Sequence, residues 1–246
     1  MTQALEVRGL RKAFGGLQVT RGVDLSVARG ERHLLIGPNG AGKTTLFNLI
    51  AGDLPSDAGS IVVHGQDLTR MPAAARAQRG VARTYQIITL FPHDTLLHNV
   101  RLALLGRSPR RWIPWGDLAA DAALHAQARQ ALEAVGLGDK AGLSLQQTSY
   151  GDKRRLEIAM ALAQRPSLLL LDEPLAGLSA QEREGICAML AGIDREVTIV
   201  LIEHDMRAAL ALADRVTLLH QGQVVLSGHR DEVVQDPRTR QIYLGH

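Results

Sequence analysis

The stretch Arg32-His-Leu-Leu-Ile36-Gly37-Pro38-Asn39-Gly40-Ala41-Gly42-Lys43-Thr44-Thr45 decides the fold. Residues 32–36 are a short apolar run that stops at Gly37. From Lys43 onward the spacing turns helical, with Leu46, Leu49 and Ile50 on one face. Between them, Gly37 to Thr44 matches G-x-x-x-x-G-K-[ST] in full, with a strand before it and a helix after it. Each fixed residue has a physical reason. The glycines let the backbone curl so that successive N–H groups point inward at an anion. The helix that begins near Lys43 adds its positive N-terminal end. Lys43 supplies a mobile charge to outer phosphate groups, and Thr44 offers a hydroxyl to Mg²⁺. The plainer reading is a glycine-rich strand-to-helix turn, which needs none of these coincidences.

A second run, Leu168-Leu-Leu-Leu-Asp172-Glu173, suits a strand buried on both faces that ends in two acids. Ligands of α/β sheets sit at the carboxyl ends of the strands. Asp172 is placed to hold Mg²⁺ directly or through water. Glu173 points to the opposite face, because side chains alternate along a strand. There it would orient and deprotonate a water. An acid without such a role would be costly at the end of so apolar a strand.

Outward from these runs, residues 197–202 read as another buried strand, and residues 5–7, 23–27 and 59–64 as half-buried ones. Residues 215–220 and 223–227 form a hairpin pair around Gln221-Gly222. Helical stretches are expected at 73–78, after Pro72, and at 117–135, 151–163, 181–190 and 205–212. Buried strands alternating with helices indicate an α/β parallel core. The early strands point to an added antiparallel sheet. The stretch from about residue 96 to 164 reads as a helical subdomain, and Arg107 to Gly116 as an exposed loop.

Composition narrows the function classes. The 246 residues are 46% hydrophobic and 22% charged, as in ordinary soluble proteins, which excludes disordered, collagenous and disulfide-scaffold chains. The net charge of +3 is spread along the chain, so nothing demands nucleic acid. Two Trp, three Tyr and three Phe are too few and too scattered for base-stacking platforms. The single cysteine, Cys187, rules out an intrachain disulfide, fits a reducing compartment and reads as packing on a helix. No apolar run approaches the ~18–20 residues that span a bilayer, and the N-terminus lacks a signal-peptide block. A cytoplasmic chain is expected.

With these runs goes a third motif, Thr148-Ser149-Tyr150-Gly151-Asp152, which lies shortly before the acid pair. It is similar to the signature usually written L-S-G-G-Q, in an S-Y-G variant. The chain thereby resembles the ATPase subunit of ABC transporters over nearly its whole length. The resemblance is closest to the class of importers for hydrophobic, branched-chain amino acids. Phe14-Gly-Gly, Arg83-Thr-Tyr-Gln86, Gly151-Asp-Lys-Arg-Arg-Leu-Glu-Ile-Ala159, Ile202-Glu-His-Asp-Met206 and Ile242-Tyr-Leu-Gly245 are typical of that class.

The resemblance implies a single ABC ATPase domain over 1–246, α/β in class. Its P-loop NTPase core would be RecA-like, with a mostly parallel sheet, an antiparallel β subdomain and an inserted α-helical subdomain at roughly 87–165. It implies ATP and Mg²⁺ as ligands. Phe14 would stack on adenine, and the loop Gly37, Pro38, Asn39, Gly40, Ala41, Gly42, Lys43, Thr44 and Thr45 would hold the phosphates. Thr44, Gln86 and Asp172 would surround Mg²⁺. Gln86 is the expected glutamine that senses the ion and contacts the membrane subunit. Glu173 would activate water, and His204 would steady the γ-phosphate beside Lys43. The family works as a dimer, in which Ser149 and Gly151 would close over ATP held by the other subunit. The implied partners are two membrane permease subunits, a second ABC ATPase (identical or related) and, indirectly, a solute-binding protein, with no nucleic acid. The implied place is the cytoplasmic face of the inner membrane, as a peripheral subunit.

Departures are few. Ser179 stands in Ala176-Gly-Leu-Ser179 where most of the superfamily has Asp, which weakens a contact across the dimer. Asp152 replaces Gln, Thr148 replaces Leu, and Phe14 replaces Tyr. The rival class is a soluble ABC ATPase acting on nucleic acid or ribosomes. Such proteins carry two ATPase domains or a long coiled-coil insertion, and this sequence has neither. A regulatory nucleotide binder would have no need of Glu173. Two stretches stay open. Residues 87–100 read as a receiver for the membrane subunit or as ordinary packing. The Arg- and Trp-bearing loop 107–116 reads as a contact with lipid or permease, or as a solvated loop.

Overall fold

Two twelve-residue strands, β1 (Gln3–Phe14) and β2 (Leu17–Ala28), open the chain as an antiparallel hairpin. They belong to a computed structural model, which describes residues 2–84, 90–107 and 121–244. Both strands outrun the short segments expected from alternation. Register shifts between Val7 and Leu10 and again at Lys12 break the period-two pattern, so the sequence signal stops where the pairing continues. β4 (Ala58–Val63) pairs antiparallel with β1, and the short β5 (Gln66–Asp67) closes this sheet in the order β2-β1-β4-β5.

The second sheet is mostly parallel. Its strands are β3 (Arg32–Ile36), β6 (Val81–Arg83), β7 (Leu168–Asp172), β8 (Thr198–Ile202), β9 (Arg215–His220) and β10 (Gln223–His229). They lie in the order β10-β9-β3-β8-β7-β6, and β10 alone runs antiparallel to its neighbour. β3, β7 and β8 are buried along their whole length, as apolar runs in a sheet covered on both faces should be. The three-residue β6 carried no periodic signal of its own.

Alternate residues of the central strands feed two cores. Leu35, Leu168, Leu170, Val200 and Ile202 pack with α1 (Lys43–Ala51) and the antiparallel sheet. Leu34, Ile36, Leu169, Leu171, Ile199 and Leu201 face α6 (Ala180–Ala191) and α7 (Met206–Leu212). A third cluster joins α3 (Leu96–Arg107), α4 (Ala122–Ala134) and α5 (Tyr150–Ala163) through Leu96, Val100, Leu132 and Leu156. The helix expected from residue 117 starts at Ala122, where Asp121 caps Leu124 N–H at 3.0 Å; residues 117–120 lie outside the described residues. The α/β class and the mixed sheets agree with the expectation.

Buried arginines pin the elements to one another. Arg76, on α2 (Ala73–Gln78), donates to the carbonyls of Leu49 and Ile50 at the end of α1 and to those of Thr69 and Met71. Two further helices, α8 (Arg230–Gln235) and α9 (Pro237–Leu244), were not foreseen, being short and weakly periodic. Among the described residues no helix is long and apolar enough to cross a membrane.

Candidate active site

The loop between β3 and α1 is seated by its neighbours. A Cβ on Gly37 would lie 2.1 Å from the Leu219 carbonyl oxygen, so only glycine lets β9 come this close. Gly42 caps α1 with φ +100°, and a Cβ there would lie 2.9 Å from the Val19 carbonyl oxygen. The β9–β10 turn adds a hydrogen bond from Gly222 N–H to the Ala41 carbonyl at 3.0 Å. Asn39, Gly40 and Thr44 are exposed, Pro38 and Thr45 half-buried.

Lys43 is nearly buried, and its ammonium donates to the carbonyls of Gly37 at 2.6 Å and Pro38 at 3.1 Å. Burial pushes its pKa below the ordinary lysine value, against the opposing pull of Glu173 and Asp172. The lysine thus rests on the loop's own carbonyls, with both acids near enough to be felt.

Asp172 ends β7 and is 1% exposed. Its Oδ2 accepts from Arg83 Nη2 at 2.9 Å, and Arg83 also reaches Asn48 on α1 and Asp53. Its Oδ1 is buried with no hydrogen-bond partner among the described residues. A buried carboxylate oxygen left over at Asp172, near enough for Lys43 to feel, and a free-facing hydroxyl on Thr44 are hard oxygen donors of the kind Mg²⁺ takes, so these residues fit the ion.

Glu173 corrects the strand-alternation argument. β7 stops at Asp172, and Glu173 lies beyond it in the left-handed region at φ +49°. Its N–H donates to the Ile202 carbonyl at 2.9 Å, and its Oε1 lies 3.0 Å from Nε2 of His204, just after β8. A tight turn therefore sets the direction of its side chain, not the pleat. A non-glycine residue at positive φ costs of order 1–3 kcal/mol and persists only where its surroundings hold it. Two buried side chains do so. Arg154, 1% exposed on α5, donates to the carbonyls of Asp172, Glu173 and Pro174. Glu203 accepts from Leu175 N–H at 2.6 Å and from His204 N–H at 3.1 Å. Burial pushes the Glu203 carboxyl up from its ordinary value, against those hydrogen bonds. Sequence reasoning gave neither residue a role.

Ser149 caps α5 by accepting from Asp152 N–H at 3.1 Å, and Asp152 pairs with Lys140 at 2.6 Å. Gly151 N–H donates to Glu182 Oε1 at 3.2 Å, while Glu182 Oε2 accepts from Ser179 N–H at 3.0 Å. Gly151 thus sits against the start of α6, with Ser149 capping α5 two residues before it. Phe14 is 47% exposed at the end of β1, with Lys12 Nζ 5.7 Å from its ring centre. Gln86 and residues 108–116 of the loop expected at 107–116 lie outside the described residues, while Arg107 ends α3 instead of opening that loop. Lys43, Asp172, Glu173 and His204 are the predicted residues that the fold gathers at the strand ends. Ser149 and Gly151 have no hydrogen bond to the loop among the described residues.

The family model described as ABC transporter matches residues 20–176. The chain belongs to the ABC transporter ATPase family. This ABC ATPase is 36% identical to the high-affinity branched-chain amino acid transport ATP-binding protein BraF of Pseudomonas aeruginosa, over 98% of this chain and 97% of BraF. It is 35% identical to LivG of Escherichia coli K12, a protein of the same description, over 98% and 97% of the two chains. Its fold superposes on the crystal structure of MJ1267, an ATP-binding cassette of an ABC transporter in its ADP conformation. The TM-score is 0.88 at 28% identity, with both chains fully covered. The family couples ATP hydrolysis to transport, so this ABC ATPase binds nucleotide and works with membrane subunits.

Proposed function

We propose that this chain powers a membrane importer for branched-chain or other amino acids, from the cytoplasmic face of the inner membrane. The observation that carries this is the near full-length similarity to BraF and LivG. We read the chain as one ABC ATPase domain, with a helical subdomain at roughly 87–165 inserted in the RecA-like core. Its proposed partners are two permease subunits, a second ABC ATPase and, indirectly, a solute-binding protein.

The proposed chemistry rests mainly on positioning and charge stabilisation, as phosphoryl transfer requires. Phe14 stacks on adenine. The amides of residues 39–45 hold the phosphates, and the Lys43 ammonium moves from the Gly37 and Pro38 carbonyls onto them. Thr44, Asp172 and Gln86 would hold Mg²⁺, which when bound neutralises phosphate charge. Glu173 takes the proton of the attacking water, and His204, hydrogen-bonded to it, steadies the γ-phosphate. Ser149 and Gly151 of the second subunit complete the site. ATP thus joins the dimer, hydrolysis releases it, and the cycle moves the permease between inward and outward states.

The sandwich has its own expected result. Ser149→Arg should leave nucleotide binding intact. In a mixed dimer with the unaltered chain it should remove about half of the turnover, since one site of two loses its cap. Full turnover in the mixed dimer would exclude the arrangement. The transport reading is tested by gentle detergent extraction of the tagged chain from its own cells and mass spectrometry of what accompanies it. Permease subunits with a second ATPase are expected. Ribosomes or DNA in their place would favour a soluble ABC ATPase.

A further inference from the structure

The C-terminal helix reaches the phosphate loop. α8 and α9 are seated on the second core through Val233 and Ile242, and Arg230 on α8 donates to the Leu210 and Ala213 carbonyls. Thr239 closes the joint between the two helices by donating to the Val233 carbonyl. So anchored, α9 carries Tyr243 to a residue 206 positions earlier: Gly37 N–H donates to the Tyr243 hydroxyl oxygen at 2.6 Å. The tyrosine as a whole is 39% exposed, but desolvation at its hydroxyl end pushes the phenol above its ordinary pKa, so the hydroxyl stays neutral in the physiological range.

Gly37 is thus held from two directions. Tyr243 takes its N–H, and the Lys43 ammonium takes its carbonyl. The two holds differ in what nucleotide does to them. The lysine must give up the Gly37 and Pro38 carbonyls to reach phosphate, and the loop then loses a tether at its base. The tyrosine hydroxyl meets an amide at the entry to the loop, and nothing in the exchange displaces it. We propose that Tyr243 is a positioning residue for nucleotide binding: its hydroxyl keeps the base of the phosphate loop in place while Lys43 transfers to the phosphates. This rests on the reading of residues 37–45 as the ATP site. Without the hydroxyl, the loop base has to be ordered by the ligand, and that ordering lowers affinity. The chemistry itself is untouched, because Tyr243 faces the entry of the loop and not the reacting atoms.

The test is Tyr243→Phe in the full-length protein, with Kd for Mg-ATP measured by titration calorimetry and kcat at saturation. Kd should rise about five-fold, the worth of one net hydrogen bond. The kcat should stay within about two-fold, and Tm of the nucleotide-free protein should fall by no more than about 4 °C. An unchanged Kd overturns the proposal, and so does a kcat loss beyond that range. A larger fall in Tm also overturns it, because the hydroxyl would then be serving overall stability. Lys43→Ala separates the two readings. If it abolishes binding while Tyr243→Phe changes nothing, only the role of Tyr243 falls. If Lys43→Ala binds Mg-ATP as the unaltered protein does, the ATP-site reading fails and this proposal fails with it.

Discussion

Glu173→Gln is expected to lower ATP turnover by about a hundred-fold or more, the range that a positioned general base supplies, with Kd for ATP little changed. The reason is geometric. Glu173 Oε1 lies 3.0 Å from His204 Nε2, on a turn held by Arg154 and Glu203 through backbone groups that an amide side chain leaves alone. Glutamine keeps the size and shape of the side chain, so the turn and the loop survive. It cannot accept a proton from water, so the step that needs a base stops. Binding without hydrolysis should trap the ATP-bound dimer, seen as an ATP-dependent shift in size-exclusion chromatography. Turnover like that of the unaltered protein would remove Glu173 from the chemistry.

Arg154→Met should be the most damaging single change to stability away from the phosphate loop. Arg154 carries three backbone carbonyls of the 172–174 turn and also pairs with Glu157 at 2.7 Å. Burial pushes the Glu157 carboxyl up, and the pairing with Arg154 opposes that rise. Removing the arginine orphans the carbonyls and leaves a buried acid without its cation, a loss of about 3–5 kcal/mol. For a chain of this length that corresponds to a Tm fall on the order of 10 °C. A second change separates packing from positioning. Arg154→Met with Glu157→Leu removes the stranded charge and should recover part of the Tm. The kcat should stay low, because the turn that aims Glu173 has still lost its donors. Recovery of both together would mean that Arg154 acts on stability alone.

What the sequence made legible follows from where each signal resides. The phosphate loop was readable because its requirements are local: glycines where backbones touch, then a lysine and a threonine opening a helix. Asp172 was readable because an acid ending a run of leucines is conspicuous. The alternation argument for Glu173 missed the turn, since a break at φ +49° carries no periodic mark. Arg154, Glu203 and Tyr243 went unassigned for a shared reason. The partners through which they act on the site are main-chain groups: the Glu173 carbonyl, the Leu175 amide and the Gly37 amide. A backbone acceptor has no residue type, so no pairing of side chains announces it. The contact between Gly151 and Glu182 was hidden likewise, because it joins two helix starts brought together only by the fold.

The strand order has a consequence for how the molecule is made. β3, which ends at the phosphate loop, lies between β8 and β9, and Arg32 N–H finds its acceptor on Asp214, 182 positions later. The buried ring of His33 likewise waits for Thr217, 184 positions later. During synthesis, a nascent chain that has emerged only through α6 holds the full phosphate-loop motif but neither flank of its central strand. Parallel pairings of such long range form slowly and leave apolar strands uncovered in the meantime. The motif written earliest in the chain is therefore among the last parts to become rigid, once translation has passed β9.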